Sequence, residues 1–146
     1  MPDTPAPKKV FVSGCFDVLH SGHIAFLEEA AGYGDVYVSL GSDKTVLELK
    51  NRPTLYNEQE RKYMLEALRF VKKVYIGPGS GKLDFAPLLD IVQPDIFFVN
   101  ADGTNDEKRA YVEARGIRYI TSSRTPHPGL PTRSTTAIRE TLNKNN

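Results

Sequence analysis

Little in this chain invites covalent, redox or membrane chemistry. Its 146 residues include one cysteine and no tryptophan. The single thiol, Cys15, excludes a disulfide within the chain and fits a reducing, cytoplasmic setting. Neither sign of charge predominates: 19 basic and 18 acidic residues leave a net charge of +1. A duplex-binding surface needs a basic excess, so nucleic acid is not expected as the main partner. No apolar run approaches the roughly 18 residues of a membrane span, and the N-terminus has no apolar segment of the secretory-signal kind. Histidine is also scarce, with three in the chain, and two of them stand three residues apart.

What is present describes an ordinary globular domain. Hydrophobic residues make up 40% and charged residues 25%, and the length suffices for one domain with a core. Residues 1–8 and 143–146 read as loose tails around a domain spanning 9–142. Short apolar runs alternate with helical patterns. Strands are predicted at Val10–Ser13, Val36–Leu40, Val74–Ile76, Ile96–Val99 and Ile117–Ile120. Helices are predicted at Ile24–Ala31, from Asn57 to about Val71, at Phe85–Val92, from Thr104 to about Arg115, and from Ser134 onward. Asn57-Glu58-Gln59-Glu60 and Thr104-Asn105-Asp106-Glu107 both have capping-box spacing. The alternation predicts a single doubly wound, Rossmann-like α/β fold: a mostly parallel five-stranded sheet with helices on both faces. In such sheets ligands bind beyond the carboxyl ends of the strands, where strand order reverses.

The histidine pair lies at such a place. Val12-Ser13-Gly14-Cys15-Phe16-Asp17-Val18-Leu19-His20-Ser21-Gly22-His23 runs from a strand through a glycine turn into a helix. The amides of a first helical turn lack intrahelical acceptors, and the dipole places positive charge there, so this is where an anion binds. Imidazole N–H groups add donors for a polyphosphate. Gly22 allows backbone and ligand to approach closely. Two exposed histidines at a helix cap are the plain alternative. Gly77-Pro78-Gly79-Ser80-Gly81-Lys82-Leu83 imitates a P-loop, but its spacing is wrong and Leu83 stands where a hydroxyl should meet magnesium. It reads as a flexible connection.

The segment Gly14–His23 resembles the HxGH signature of the cytidylyltransferase-like nucleotidyltransferases, the family that includes glycerol-3-phosphate cytidylyltransferase. Lys50-Asn51-Arg52-Pro53, the Asn57-Glu58-Gln59-Glu60-Arg61 helix start, and Arg124-Thr125 followed by Ser134-Thr135-Thr136 are similar to its later motifs, in order. The resemblance implies attack of a phosphomonoester oxygen on the α-phosphorus of a nucleoside triphosphate, with pyrophosphate leaving. It assigns His20, His23, Lys50, Arg124, Ser134 and Thr135 to catalysis. Gly14, Cys15, Phe16, Asp17, Gly22, Arg61, Asn100, Asp102, Thr125 and Thr136 are assigned to the nucleotide, with bracing of the loop the favoured use of Asp17 and a structural link that of Arg61. Asp43 and Lys44 fall to the acceptor. It implies Mg²⁺ carried with the triphosphate rather than in a protein carboxylate cage, and a homodimer.

Two departures from the family pattern bear on specificity. Asn100-Ala101-Asp102-Gly103 sits where many members of the family carry a glycine and paired acids after the fourth strand. The closing motif is stretched by a proline-rich segment, 126–133, which reads as a lid or part of the acceptor pocket and adds Arg133 as a partner or substitute for Arg124. His127 reads as exposed. The His20-Ser21-Gly22-His23 form and the compact single domain most resemble the cytidylyltransferases, which implies CTP with a polyol, amino-alcohol or sugar phosphate as acceptor. An ATP-dependent adenylyltransferase acting on a heptose 1-phosphate or an FMN-like acceptor is the alternative, and a catalytically silent nucleotide-binding module is a reading of another class.

Overall fold

Apolar residues of both parities in the strands dictate a sheet buried on both faces. The structure, a computed structural model, describes residues 7–123 and 126–144. Five strands, β1 (Lys9–Gly14), β2 (Asp35–Leu40), β3 (Lys73–Ile76), β4 (Ile96–Val99) and β5 (Arg118–Thr121), pair in parallel in the order β3-β2-β1-β4-β5. Val10 and Val12 of β1, Val36, Val38 and Leu40 of β2, and Ile96 and Phe98 of β4 point to one face. There they meet Leu27 and Ala30 of α1 (Ser21–Ala31) and Leu65 of α3 (Glu58–Glu66). Phe11, Phe97 and Val99, of opposite parity, meet α4 (Ala86–Val92) and Val112 of α5 (Asp106–Glu113). The Phe11, Phe85 and Phe97 rings lie 4.9–6.1 Å apart, a separation at which tilted aromatic pairs attract.

Strand order positions the site. The chain steps outward from β1 to β2 to β3, then returns to place β4 on the other side of β1. With crossovers of one hand, that reversal sends α1 and α3 to one face and α4 and α5 to the other. It also parts the loops leaving β1 and β4 and opens a crevice at the carboxyl edge.

Several elements differ from the sequence reading. Asp43–Lys50 is a helix, α2, capped by the Ser42 hydroxyl, which accepts from the Thr45 amide. Only Thr45 and Val46 of it are buried, while Leu47 and Leu49 are half-exposed, so no single apolar stripe marks it. α3 ends at Glu66 and continues as three-residue turns that bring Leu68, Phe70 and Val71 onto the core. The helical spacing of apolar residues from Asn57 to Val71 would place Tyr63 on the buried face with Met64, Ala67, Leu68 and Val71, but Tyr63 is 78% exposed. The cap of α5 is Asn105, accepting from the Lys108 amide at 2.7 Å; Thr104 instead bonds the Tyr119 hydroxyl. The last helix, α6 (Thr135–Lys144), runs two residues past 142, with Lys144 suited to the negative end of its dipole.

One buried cation joins the loops at the carboxyl edge. Arg61 of α3 has no solvent exposure. Its guanidinium donates to the carbonyls of Tyr56 (3.0 Å), Cys15 (2.8 Å) and Gly41 (2.8 Å) and pairs with Asp43 at 2.7 Å. It thereby fixes the ends of β1 and β2, the 52–57 turn and the start of α2. Arg61→Met removes the donors and leaves those acceptors behind, so unfolding in urea should show a loss of about 3–5 kcal/mol; a loss under about 1 kcal/mol would mean that the clamp is dispensable.

Candidate active site

The loop from β1 to α1 is locked before any ligand arrives. Phe16 and Val18 take left-handed backbone conformations, with φ of 50° and 53°, which is costly for side chains of this kind. Asp17 between them is 5% exposed. Its carboxylate accepts from the Leu55 amide (2.8 Å), the Tyr56 amide (3.1 Å) and the Arg139 guanidinium (2.7 Å). Burial alone would raise its pKa, but those donors outweigh it and hold the carboxyl below its ordinary value. Asp17 is therefore a brace, with no carboxylate oxygen left unbonded for a ligand.

The histidines cap α1 reciprocally. His20 is the N-cap and its Nδ1 accepts from the Gly22 amide at 3.1 Å. His23 Nδ1 accepts from the His20 amide at 3.2 Å. Acceptance at Nδ1 assigns the proton of each neutral ring to Nε2. The rings stack with centroids 3.8 Å apart, and Phe16 packs 5.5 Å from His23. Burial, reinforced by His20 and Lys50, pushes the His23 pKa down to about 3 against a smaller opposing effect of Asp17. His23 is thus a neutral donor at physiological pH. Gly22 is required: a Cβ there would lie 2.9 Å from the His20 ring and 3.2 Å from the Arg133 carbonyl.

These groups line a cleft of about 780 Å³. Of the residues singled out in the sequence, Gly14, Cys15, Phe16, Asp17, His20, Gly22, His23, Lys50, Asn100, Asp102, Ser134, Thr135 and Thr136 lie on its wall. Lys50 arrives on the last turn of α2, before Asn51 caps that helix in the left-handed region. The Ser134 hydroxyl accepts from the Ala137 amide at the start of α6, and the Thr135 hydroxyl donates to the Asp17 carbonyl at 3.0 Å. The first-turn amides of α6, rather than the Thr135 hydroxyl proton, are the donors it offers an anion. Asn100 accepts from the Gly103 amide, capping the 3₁₀ turn Ala101–Gly103.

Three expected site residues lie elsewhere. Arg61 is behind the wall, its guanidinium consumed by the clamp. Asp43 is held by Arg61 and the Thr54 hydroxyl and does not line the cleft. Lys44 follows it on α2 and faces a separate shallow depression with Gly77–Ser80. Arg124 and Thr125 lie outside the described residues. Arg133 does reach the wall, and the exposed His127 ties its loop to Glu28 of α1 at 2.9 Å.

Sequence reasoning missed several wall residues. Arg139 reaches the cleft from α6. Its signal was its place one turn beyond Thr135 on the same face. On the β2 side stand Thr45, Val46, Leu49, Arg52 and Lys82; towards β5 stand Phe26, Glu29 and Ser122, with the Ser122 hydroxyl donating to Glu29 at 2.7 Å. Asp84 and Lys108 close the side covered by α4 and α5. Among the described residues, no three His, Cys, Asp or Glu side chains gather as a metal site, and no helix is long and apolar enough to cross a membrane.

Comparison with known proteins agrees with this geometry. The cytidylyltransferase-like family model matches residues 11–141. The FAD synthase of Aciduliprofundum boonei is 38% identical over 108 residues, covering 73% of this chain and 70% of that protein. The bifunctional protein HldE of Campylobacter fetus is 42% identical over 121 residues, 81% of this chain but 26% of that longer protein. A lipopolysaccharide core biosynthesis protein from Thermoplasma volcanium superposes with a TM-score of 0.71 at 25% identity, covering 82% of this chain and 99% of that one. With two stacked histidines capping the helix that faces the cleft, and a family match over nearly the whole chain, the protein belongs to the cytidylyltransferase-like family and is a nucleotidyltransferase.

Proposed function

We propose that this enzyme transfers AMP from ATP to a small phosphomonoester and releases pyrophosphate. The carrying observation is the reciprocal histidine cap, which sets two imidazole Nε2–H donors on one wall of a cleft also lined by the start of α6. ATP replaces the CTP first favoured by the histidine motif because the relatives include FAD synthases, and FAD carries an AMP half. The acceptor phosphate is largely ionised near neutral pH, so no strong general base is required; catalysis is positioning and charge neutralisation. His20 and His23 donate to the α- and β-phosphates. Lys50 bridges the acceptor phosphate and the α-phosphate. Arg133, Arg139 and the α6 amides hold the departing pyrophosphate.

The distribution of charge orients the two substrates. Lys50, Arg52 and Lys82 gather on the β2 side and suit an anionic acceptor. Phe26 and Glu29 towards β5 suit an uncharged base, with Glu29 an acceptor for an exocyclic amine. Among the described residues no carboxylate cluster competes for the cation, so Mg²⁺ would travel on phosphate oxygens and water.

Three measurements test this reading. Thermal unfolding with ATP and with CTP, each with magnesium, should show the larger stabilisation with ATP. Saturation at about 100 times Kd corresponds to roughly 2.7 kcal/mol, and a larger shift with CTP would reverse the assignment. His23→Ala should lower kcat by about 10²–10³-fold with the fold intact by circular dichroism; a near-normal rate would remove the histidines from catalysis. The third concerns pH. The folded His23 pKa of about 3 lies below the unfolded value of 6.5, so the unfolded chain binds the proton first. Its contribution therefore erodes stability as pH falls from 6.5 towards 3, by at most about 1.4 kcal/mol per pH unit. Between pH 6.5 and 5, above the main carboxylate titrations, His23→Gln should flatten the decline. Parallel curves for the two proteins would show that the ring is not held neutral.

A further inference from the structure

The wall formed with α4 and α5 carries two charged groups that phosphate transfer does not use. Asp84 precedes α4 and Lys108 sits in the first turn of α5, and both line the cleft. Gly41 and Gly77, just beyond β2 and β3, leave space for the Asp84 carboxylate: Cβ atoms there would come within 3.9 and 3.2 Å of its Oδ2. The loop closes on Asp84 through the Gly79 amide, which donates to its carbonyl at 3.0 Å. Behind it, the buried Ser39 hydroxyl has no hydrogen-bond partner and lies 3.3 Å from the same Gly77 position. Lys108 Nζ donates to the Gly103 carbonyl at 2.8 Å and rests 5.7 Å from the Phe85 ring centre.

Asp84 and Lys108 influence one another electrostatically yet make no direct ion pair. Burial pushes the Asp84 carboxyl up and the Lys108 ammonium down, each opposed by its counterpart. The nearby amides of Phe85 and of Asp84 itself favour the ionised carboxylate, and no side-chain donor acts on it. An arrangement of this kind takes a ligand group that donates to one end and accepts from the other. A hydroxyl does both. A phosphate does not, because it would face the carboxylate. The nearby β2-side wall offers Thr45, Val46 and Leu49 and no aromatic ring; the cleft's phenylalanines, Phe16 and Phe26, come from the β1 loop and α1. A broad flavin ring would find no stacking partner here.

We propose that Asp84 and Lys108 bind hydroxyl groups of the acceptor, making the acceptor a sugar or polyol phosphate. This rests on the nucleotidyltransferase reading above but not on the choice of ATP. The test is pyrophosphate release by the full chain with ATP or CTP against glycerol 3-phosphate, hexose and heptose 1-phosphates, and FMN. Turnover of a sugar or polyol phosphate is expected. With that acceptor, Asp84→Asn and Lys108→Met should each raise the acceptor KM about tenfold or more, leave the nucleotide KM within about twofold, and leave Tm no lower than that of the wild type. A deoxy analogue lacking one bonded hydroxyl should be penalised by the wild type but not by Asp84→Asn. Turnover of FMN alone, or an unchanged acceptor KM in both variants, would overturn the inference while leaving the enzyme a nucleotidyltransferase. No pyrophosphate with any pairing would overturn both.

Discussion

The peptide of Tyr56 is gripped from both sides, its N–H by the Asp17 carboxylate and its carbonyl by the Arg61 guanidinium. The rest of the carboxyl edge depends on this contact. Arg61 continues to the last carbonyls of the β1 and β2 ends, and Asp17 continues to α6 through Arg139. Two opposite charges, each nearly or fully removed from water, are tolerable because nearly every polar atom finds a partner. The result is a loop region with little regular structure but few degrees of freedom. It is stiff enough to keep Phe16 and Val18 in left-handed conformations that isolated residues avoid.

In the proposed reaction, that rigidity is what lets a neutral histidine pair serve a polyanion. Two imidazolium rings stacked at 3.8 Å would repel one another, and burial penalises the charge further. The cap geometry removes the conflict by using each Nδ1 as an acceptor for backbone amides. The positive potential then comes from helix starts and from Lys50, Arg133 and Arg139 on the cleft wall. Donors fixed before binding need no reorganisation when charge shifts to the leaving pyrophosphate. α6 has no buried residue of its own. Its attachment rests on Thr135 and Arg139 meeting Asp17, so the same carboxylate that orders the histidine loop also places the second helix start.

Much of this was legible in the sequence, unevenly. Strands were readable because a parallel sheet covered on both faces makes each strand an uninterrupted apolar run, as in Ile96–Val99. The histidine helix was readable because its N-terminus is a local object, with caps three residues apart. α2 was not, since a helix lying along a cleft buries only Thr45 and Val46 and leaves no stripe. Arg61 and Asp43 attracted functional readings because charged residues near a motif suggest ligands. Their partners are 18 to 46 positions apart in the chain, and no spacing rule reveals a clamp of that kind.

The same contrast explains why family membership is clear and substrate choice is less so. The half of the cleft assigned to the triphosphate in the proposed reaction is built from backbone amides, helix caps and a reciprocal pair of rings, and each needs a particular residue at a particular step. Gly22 admits no side chain, and His20 and His23 must stand three apart. The half proposed for the acceptor is assembled from side chains on α2, on the turn before α4 and on α5, as with Thr45, Asp84 and Lys108. On the proposed reading the chemistry of transfer is written in local motifs, whereas the acceptor is read by groups that only the folded chain brings within reach of one ligand.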